Sequence, residues 1–124
     1  FFRLREDRLV AYTRHVFALA QRQPDGTTLR AHLEVLAKRG KHHAIDALRD
    51  PPLEAGERYL WDWFLELHRR RGAGAMGPAP FSWQDFDAWA RRTAVDPEPW
   101  EFDVLSAMDN AFFEAAQPPA KATR

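Results

Sequence analysis

Residues 59–67 read Tyr59-Leu60-Trp61-Asp62-Trp63-Phe64-Leu65-Glu66-Leu67. Most of the large apolar side chains in this stretch recur three or four positions apart, which is the spacing of one face of an α-helix. They are Tyr59, Leu60, Trp63, Phe64 and Leu67. Asp62, Glu66 and the later Arg69 fall on the opposite face. The stretch therefore predicts an amphipathic helix that begins near Glu54 and buries its apolar face against other helices.

Two further apolar residues, Trp61 and Leu65, lie beside this stripe and widen the apolar arc beyond one core face. The last helix has a similar excess, because Phe102 and Phe113 fall on the side away from its inner face. That inner face comprises Trp100, Val104, Leu105, Met108 and Phe112. We therefore predict contacts to a partner, or to a second copy of the chain, at all four excess residues. In the alternative interpretation, the first two helices cover these residues and the domain is a closed bundle.

Three helical patterns precede the central stretch. Apolar residues at helical spacing predict a first helix from about Phe2 to Gln23, ended by Pro24. A second helix is predicted over residues 28–40, with the Thr28 hydroxyl as its N-cap and a glycine at its end. A short helical turn follows over residues 45–48.

The helix after the central stretch carries a strong start signal. Ser82 and Asp85 have the spacing of a capping box, with Asp in place of the more common Glu or Gln. Phe81 can pack onto Phe86 across this start. These features predict a helix from Trp83 to about Arg92.

The last helix is expected to begin at a second set of signals and to reach Ala116. Asp96 can serve as its N-cap, and Pro97 suits the first helical position because proline needs no hydrogen bond there.

No run of alternating apolar and polar residues indicates a β-strand. The loop Gly72–Pro80 is rich in Gly and Pro and is predicted to be irregular, with a mobile first half. We therefore predict an all-α fold, a compact bundle of five to six helices without a sheet. One domain is expected over residues 1–116, with a basic part at 1–50 and an aromatic part at 54–116, followed by a disordered tail at 117–124.

The composition excludes several classes of protein. Lys+Arg and Asp+Glu both number 18, so no net charge draws the chain to nucleic acid or to an anionic membrane. Charge is nevertheless uneven, since residues 1–50 carry ten basic and six acidic side chains, and residues 96–116 carry six acidic and no basic ones. Cysteine is absent, and the sequence has neither a signal peptide nor an apolar run of the ~20 residues that cross a membrane. Because the chain begins with Phe1 instead of Met, we expect an upstream segment.

The sequence offers no candidate catalytic, cofactor-binding or metal-binding residue. The histidines lack the spacing of a metal site, since His42 and His43 are adjacent and no His-x3-His pair occurs. Carboxylates two residues apart, such as Glu101 and Asp103, point to different faces of a helix and are interpreted as solvated or helix-start charges. We predict a protein without enzymatic activity.

The helices predicted at residues 83–92 and 97–116 could form a helix-turn-helix, whose second helix enters the major groove of DNA. That second helix carries only acidic charges and would be repelled by phosphate. The arginine runs at residues 69–71 and 91–92 suit the negative ends of helix dipoles instead. Binding to nucleic acid is therefore disfavoured.

Several motifs follow one another between Tyr59 and Phe113. They are the stretch 59–67 quoted above, Gly77-Pro78-Ala79-Pro80-Phe81-Ser82-Trp83, Asp87-Ala88-Trp89-Ala90-Arg91, Pro99-Trp100-Glu101 and Leu105-Ser106-Ala107-Met108-Asp109-Asn110-Ala111-Phe112. As an ordered set they resemble the tail assembly chaperones of long-tailed bacteriophages and related prophages. The first fifty residues add little to this resemblance.

The resemblance implies a small helical protein that keeps the tape measure protein soluble and helps to recruit tail tube subunits. It implies action in the cytoplasm of the bacterial host, absence from the mature virion, and no membrane partner, cofactor or catalytic residue. The resemblance leaves open whether the protein forms a homo-oligomer. The alternative is a DNA-associated or regulatory helical protein of a phage or mobile element, which would use the basic helices of residues 1–50.

Overall fold

The computed structural model describes residues 2–116, and the tail predicted at 117–124 lies outside the described residues. Six α-helices and one small sheet follow one another in this part of the chain. Their bounds are α1 Phe2–Leu19, α2 Leu29–Lys38, α3 His42–Leu48, α4 Arg58–Arg69, β1 Ala73–Gly74, β2 Gly77–Pro78, α5 Trp83–Thr93 and α6 Pro99–Ala116, with a 3-10 turn at Ala55–Glu57 before α4. The prediction of a largely helical fold is confirmed.

The predictions of a fold without a sheet and of an irregular loop at residues 72–80 were wrong. Strands β1 and β2 form an antiparallel hairpin in which Ala73 faces Pro78 and Gly74 faces Gly77. Gly77 has φ 117°, a backbone conformation that residues with a side chain rarely adopt. Strands of two residues are too short to show alternation in the sequence, so the pattern could not predict the hairpin.

Helix α1 ends at Leu19 and not at Gln23 as predicted. Residues 20–23 already belong to the connection to α2. In it the Gln23 amide donates to the Thr27 carbonyl at 2.7 Å, and the Leu29 amide donates to the Gln21 carbonyl at 2.8 Å. These bonds lead directly into α2, whose first turn is capped by the Thr28 hydroxyl as predicted.

The capping box of α5 is confirmed. Ser82 Oγ accepts from the Asp85 amide at 3.1 Å, and Asp85 Oδ2 accepts from the Ser82 amide at 2.9 Å. The rings of Phe81 and Phe86 lie 5.8 Å apart across this start. Local signals in the sequence therefore place this helix correctly.

The start predicted for α6 was two residues too early. The first helical residue is Pro99, not Pro97. The carboxylate of Glu101 accepts from the Glu98 amide at 2.7 Å and thereby closes the first turn at Glu98. Both prolines fit the first helical position. Only Pro99 directly follows a residue, Glu98, that has an acidic residue three positions later, Glu101.

Two apolar clusters of unequal size hold the helices together. The larger cluster lies between α1, α4, α5 and α6, and its buried members are Leu9, Leu60, Trp61, Phe64, Leu67, Phe86, Trp89, Val104, Leu105, Met108 and Phe112. The smaller cluster joins α2 and α3 to the end of α1 through Leu33, Ala44 and Leu19. Helix α1 packs along α6 and thus connects both clusters.

A buried ion pair connects the end of α4 to α6. Arg71 Nη2 donates to Asp109 Oδ1 at 2.7 Å, and both side chains are only 6% exposed. The second carboxylate oxygen of Asp109 accepts from the Phe81 amide at 2.9 Å. Arg71 also donates to the Ala79 carbonyl at 2.9 Å and to His68 Nδ1 at 3.0 Å. The sequence interpretation of Arg71 as a helix-end charge missed this pair, because the partner lies 38 residues away.

We expect Asp109→Ala to lower the free energy of unfolding by about 3–5 kcal/mol, since it leaves the Arg71 charge buried without its partner. Glu114→Ala on the same helix removes an exposed pair with Arg14 and should lower it by less than about 1 kcal/mol. Urea titrations followed by tryptophan fluorescence measure both changes. Equal losses for the two variants would contradict the central role of Asp109.

Candidate protein-binding surfaces

Helix α1 lies on a groove between α4 and α6 and fills it with an aromatic side chain. The Phe17 ring is surrounded by four rings, which we call the aromatic box. Its members are Trp61 at 6.4 Å between centroids, Phe64 at 6.1 Å, His68 at 5.1 Å and Phe112 at 4.8 Å. Such tilted and edge-on arrangements favour aromatic pairs beyond the area that they bury.

His68 is the polar member of the aromatic box. Burial lowers the pKa of its imidazole, and the nearby Arg71 guanidinium lowers it further. The ring stacks on Phe64 at 5.7 Å, and its Nδ1 accepts from Arg71 Nε. An imidazole nitrogen that accepts carries no proton, so His68 is neutral and acts as an aromatic ring with one acceptor.

Ion pairs attach α1 to the rest of the chain on its polar side. Arg8 Nε donates to both carboxylate oxygens of Glu57, at 3.0 and 2.8 Å. Glu57 is buried, and the hydrogen bond from Arg8 holds the pKa of its carboxyl below the usual range. Further along α1, Arg14 pairs with Glu114 of α6 at 2.7 Å, and both side chains are exposed.

Trp61 lies in the core, which corrects its predicted place on a surplus apolar surface. Its side chain is 8% exposed because α1 covers it, with the Tyr12 ring edge-on at 4.9 Å. The placement agrees with the alternative interpretation that the first helices cover the apolar arc. Whether Trp61 contacts a partner stays a prediction.

The other three predicted contact residues lie at the edge of the core. Leu65, Phe102 and Phe113 are half-buried and pack against the large cluster. The Phe113 ring lies 4.9 Å from Phe112 and 5.4 Å from the Arg71 guanidinium. Each of the three side chains therefore has some exposed surface that a partner can contact, although most of its surface is buried against the large cluster.

The most exposed tryptophan of the described residues, Trp83, was not predicted as a contact residue. It is the first residue of α5 and is 69% exposed. Its ring lies edge-on to Phe86 at 5.9 Å and to Phe102 at 6.2 Å, so Trp83 and Phe102 form one aromatic surface, which we call the Trp83 surface. A signal was present in the sequence, because the residue directly after an N-cap has no preceding turn of its own helix to cover it.

An acidic side chain borders the Trp83 surface along α5. Asp87 lies one helical turn after Trp83 and is exposed. The surface thus combines aromatic area with negative charge.

A cleft of about 410 Å³ lies between α4 and α5. Leu67, Ala88 and Trp89 contribute apolar walls, and Arg70 and Arg92 stand at its sides. Trp89 is held in place by a hydrogen bond from its indole nitrogen to Glu66 at 3.0 Å. A neighbouring cleft of about 480 Å³ includes Leu65 in its lining, so this predicted contact residue faces a depression.

Acidic residues of α6 make internal contacts. Glu101 is buried and accepts a hydrogen bond from the Tyr59 hydroxyl, which corrects its interpretation as a solvated charge. Burial and this hydrogen bond raise the pKa of Tyr59, so the phenol remains the donor. Over residues 2–116, no three His, Asp or Glu side chains are grouped as metal ligands. In the same range, no helix is both long and apolar enough to cross a membrane.

Comparison with known proteins gives one family. A family model described as phage tail assembly chaperone matches residues 36–114, more than half of the chain. The matched segment runs from the end of α2 almost to the end of α6 and includes the whole Trp83 surface. Searches of curated proteins and of solved structures gave no match.

The neutral state of His68 makes stability dependent on pH. The pKa of His68 in the folded chain lies below the ordinary value of 6.5. As the pH drops through that value, the unfolded chain therefore binds a proton at this residue before the folded chain does, and the free energy of unfolding falls. His68→Phe, which keeps a ring in the aromatic box, should reduce the loss between pH 7.5 and pH 5.5, whereas His32→Gln at an exposed position should not. Urea titrations at both pH values test this. An unchanged pH dependence in His68→Phe would contradict it.

Proposed function

The chain belongs to the phage tail assembly chaperone family, and we propose that it keeps the tape measure protein soluble and helps to recruit tail tube subunits. It acts as a binding protein without catalytic chemistry, in the cytoplasm of the bacterial host, and leaves before the virion is complete. The observation that carries this proposal at the level of residues is the Trp83 surface, which lies within the family-matched segment.

The Trp83 surface suits the aggregation-prone helices of a long filamentous client. An exposed indole backed by a second ring offers large, rigid apolar area to the apolar stripe of an amphipathic helix. The carboxylate of Asp87 complements Lys and Arg side chains that border such a stripe. Leu65 and Phe113, each half-buried, are proposed as secondary contacts.

The alternative of DNA binding through the basic first helix receives less support. Arg8 and Arg14 of α1 are engaged in ion pairs with Glu57 and Glu114. Their charges are thus partly neutralised before any phosphate arrives. Retention on DNA that falls steeply between low and moderate salt would favour that alternative, because phosphate contacts release counterions.

Co-expression with the tape measure protein of the same phage tests the proposal. We expect the client to appear in the soluble fraction and to co-purify with the wild-type chain. Trp83→Lys should reduce the co-purified amount by at least about tenfold, as expected when a central aromatic contact is lost. Its stability should change little, because the side chain is mostly exposed.

Met76→Lys is the matched control. Met76 is 99% exposed at the tip of the hairpin and is not a member of the Trp83 surface. This variant should retain the client at the wild-type level. A wild-type chain that leaves the client insoluble would refute the proposed function, and equal retention by Trp83→Lys would refute the assigned surface.

A further inference from the structure

Helix α1 lies outside the family-matched segment, yet it closes the groove that this segment forms. The match begins at Leu36, whereas α1 ends at Leu19. All four rings of the aromatic box belong to residues 61–112, within the match. The matched segment therefore supplies a complete receptor for an aromatic side chain, and α1 supplies the side chain.

The contact residues of α1 have the pattern of a helix bound in a groove. Leu9, Tyr12, Val16 and Phe17 pack on the large cluster and follow the spacing i, i+3, i+7 and i+8. Leu9 is fully buried, and Phe17 occupies the aromatic box. An amphipathic helix is recognised through apolar side chains on successive turns that fit into a groove, here with one aromatic side chain in a pocket.

Several features indicate that α1 depends on this groove for its helical form. Its first turn holds no acidic residue and its last turn no basic one, so neither end is favoured by the helix dipole. Arg3 and Arg5 at its start oppose that dipole. Most of the stability of a helix in a protein comes from the packing of its apolar face, so α1 outside the groove would lose much of its helical structure.

The links on the polar side of α1 are two ion pairs of unequal strength. Arg14 and Glu114 form an exposed ion pair of the kind that stabilises weakly and exchanges readily. The stronger link, from Arg8 to Glu57, requires only an arginine placed one position before the first apolar anchor. Another helix with an arginine at this position can make the same contact with Glu57.

We propose that the groove beneath α1 is a second binding site, for an amphipathic helix with apolar residues at i, i+3, i+7 and i+8 and an arginine at i−1, and that α1 is its exchangeable occupant. This inference rests on the function proposed above, so the incoming helix is a segment of the tape measure protein. Trp61 then becomes a partner contact once α1 has left. Because α1 is tethered next to the groove, it competes at a high effective concentration and keeps the site closed until a client is present.

The experiment locks α1 in place in the full chain. Arg14→Cys and Glu114→Cys introduce the only two cysteines into a chain that has none, at positions whose side chains are exposed and adjacent. A short bismaleimide bridges them, and N-ethylmaleimide on the same double variant gives a capped, unbridged control. Circular dichroism verifies that both forms are folded.

The first probe is a fluorescent peptide of residues 3–20 of this chain, read by anisotropy. The capped form should bind it at least about tenfold more tightly than the bridged form, because bridging removes the open population. Arg14→Glu should tighten binding severalfold. Arg49→Glu, which removes an exposed ion pair with Asp46 at the end of α3, should leave binding unchanged. Equal binding by the bridged and capped forms, or no binding by the capped form, would overturn the proposal.

The second probe is the tape measure protein, which separates this inference from the proposed function. Selective binding to the capped form supports the groove as the client site. Equal binding to both forms, with sensitivity to Trp83→Lys, keeps the proposed function and overturns the groove as client site. Binding to neither form, with the peptide still selective for the capped form, refutes the proposed function and leaves a helix-binding groove.

Discussion

The ion pair between Arg71 and Asp109 determines how the second half of the chain is arranged. A guanidinium and a carboxylate that are both buried require nearly all of their hydrogen bonds to be satisfied by protein. Here the partners include the Ala79 carbonyl and the Phe81 amide, so the chain after the hairpin has one path along α6. The N-cap Ser82 and the exposed Trp83 follow directly on that path. The position of the aromatic surface is therefore a consequence of a charge pair at the centre of the molecule.

The acidic residues of α6 show how one run of like charges can serve different purposes. Asp109 balances Arg71, Glu101 accepts from the Tyr59 hydroxyl, and Glu114 reaches Arg14 of α1. Two of these three carboxylates are buried. Asp103 of the same helix is exposed and contributes negative charge to the protein surface. The helix therefore binds its neighbours with the same kind of side chain that it presents to solvent.

The sequence predicted those features whose signals lie within a few residues of each other. The caps at Thr28 and Ser82, the hydrophobic contact across the start of α5, and the amphipathic face of α4 are of this kind. Features that depend on distant partners could not be predicted. Trp61 is covered by a helix 49 residues upstream at Tyr12, and Arg71 finds Asp109 only after the chain has returned along α6. At Pro97 and Pro99 the local signals competed, and the acidic residue at position 101 decided between them.

At the small cluster between α2 and α3, the boundary of the family match differs from the boundary of the packed structure. The family match begins at Leu36, inside α2, so it includes Ala44 but excludes the Leu33 and Leu19 that bury it. Sequence similarity thus ends in the middle of a packed unit. The boundary of the matched segment and the boundary of the packed cluster are different. The packing around Ala44 therefore also uses residues that lie before the matched segment.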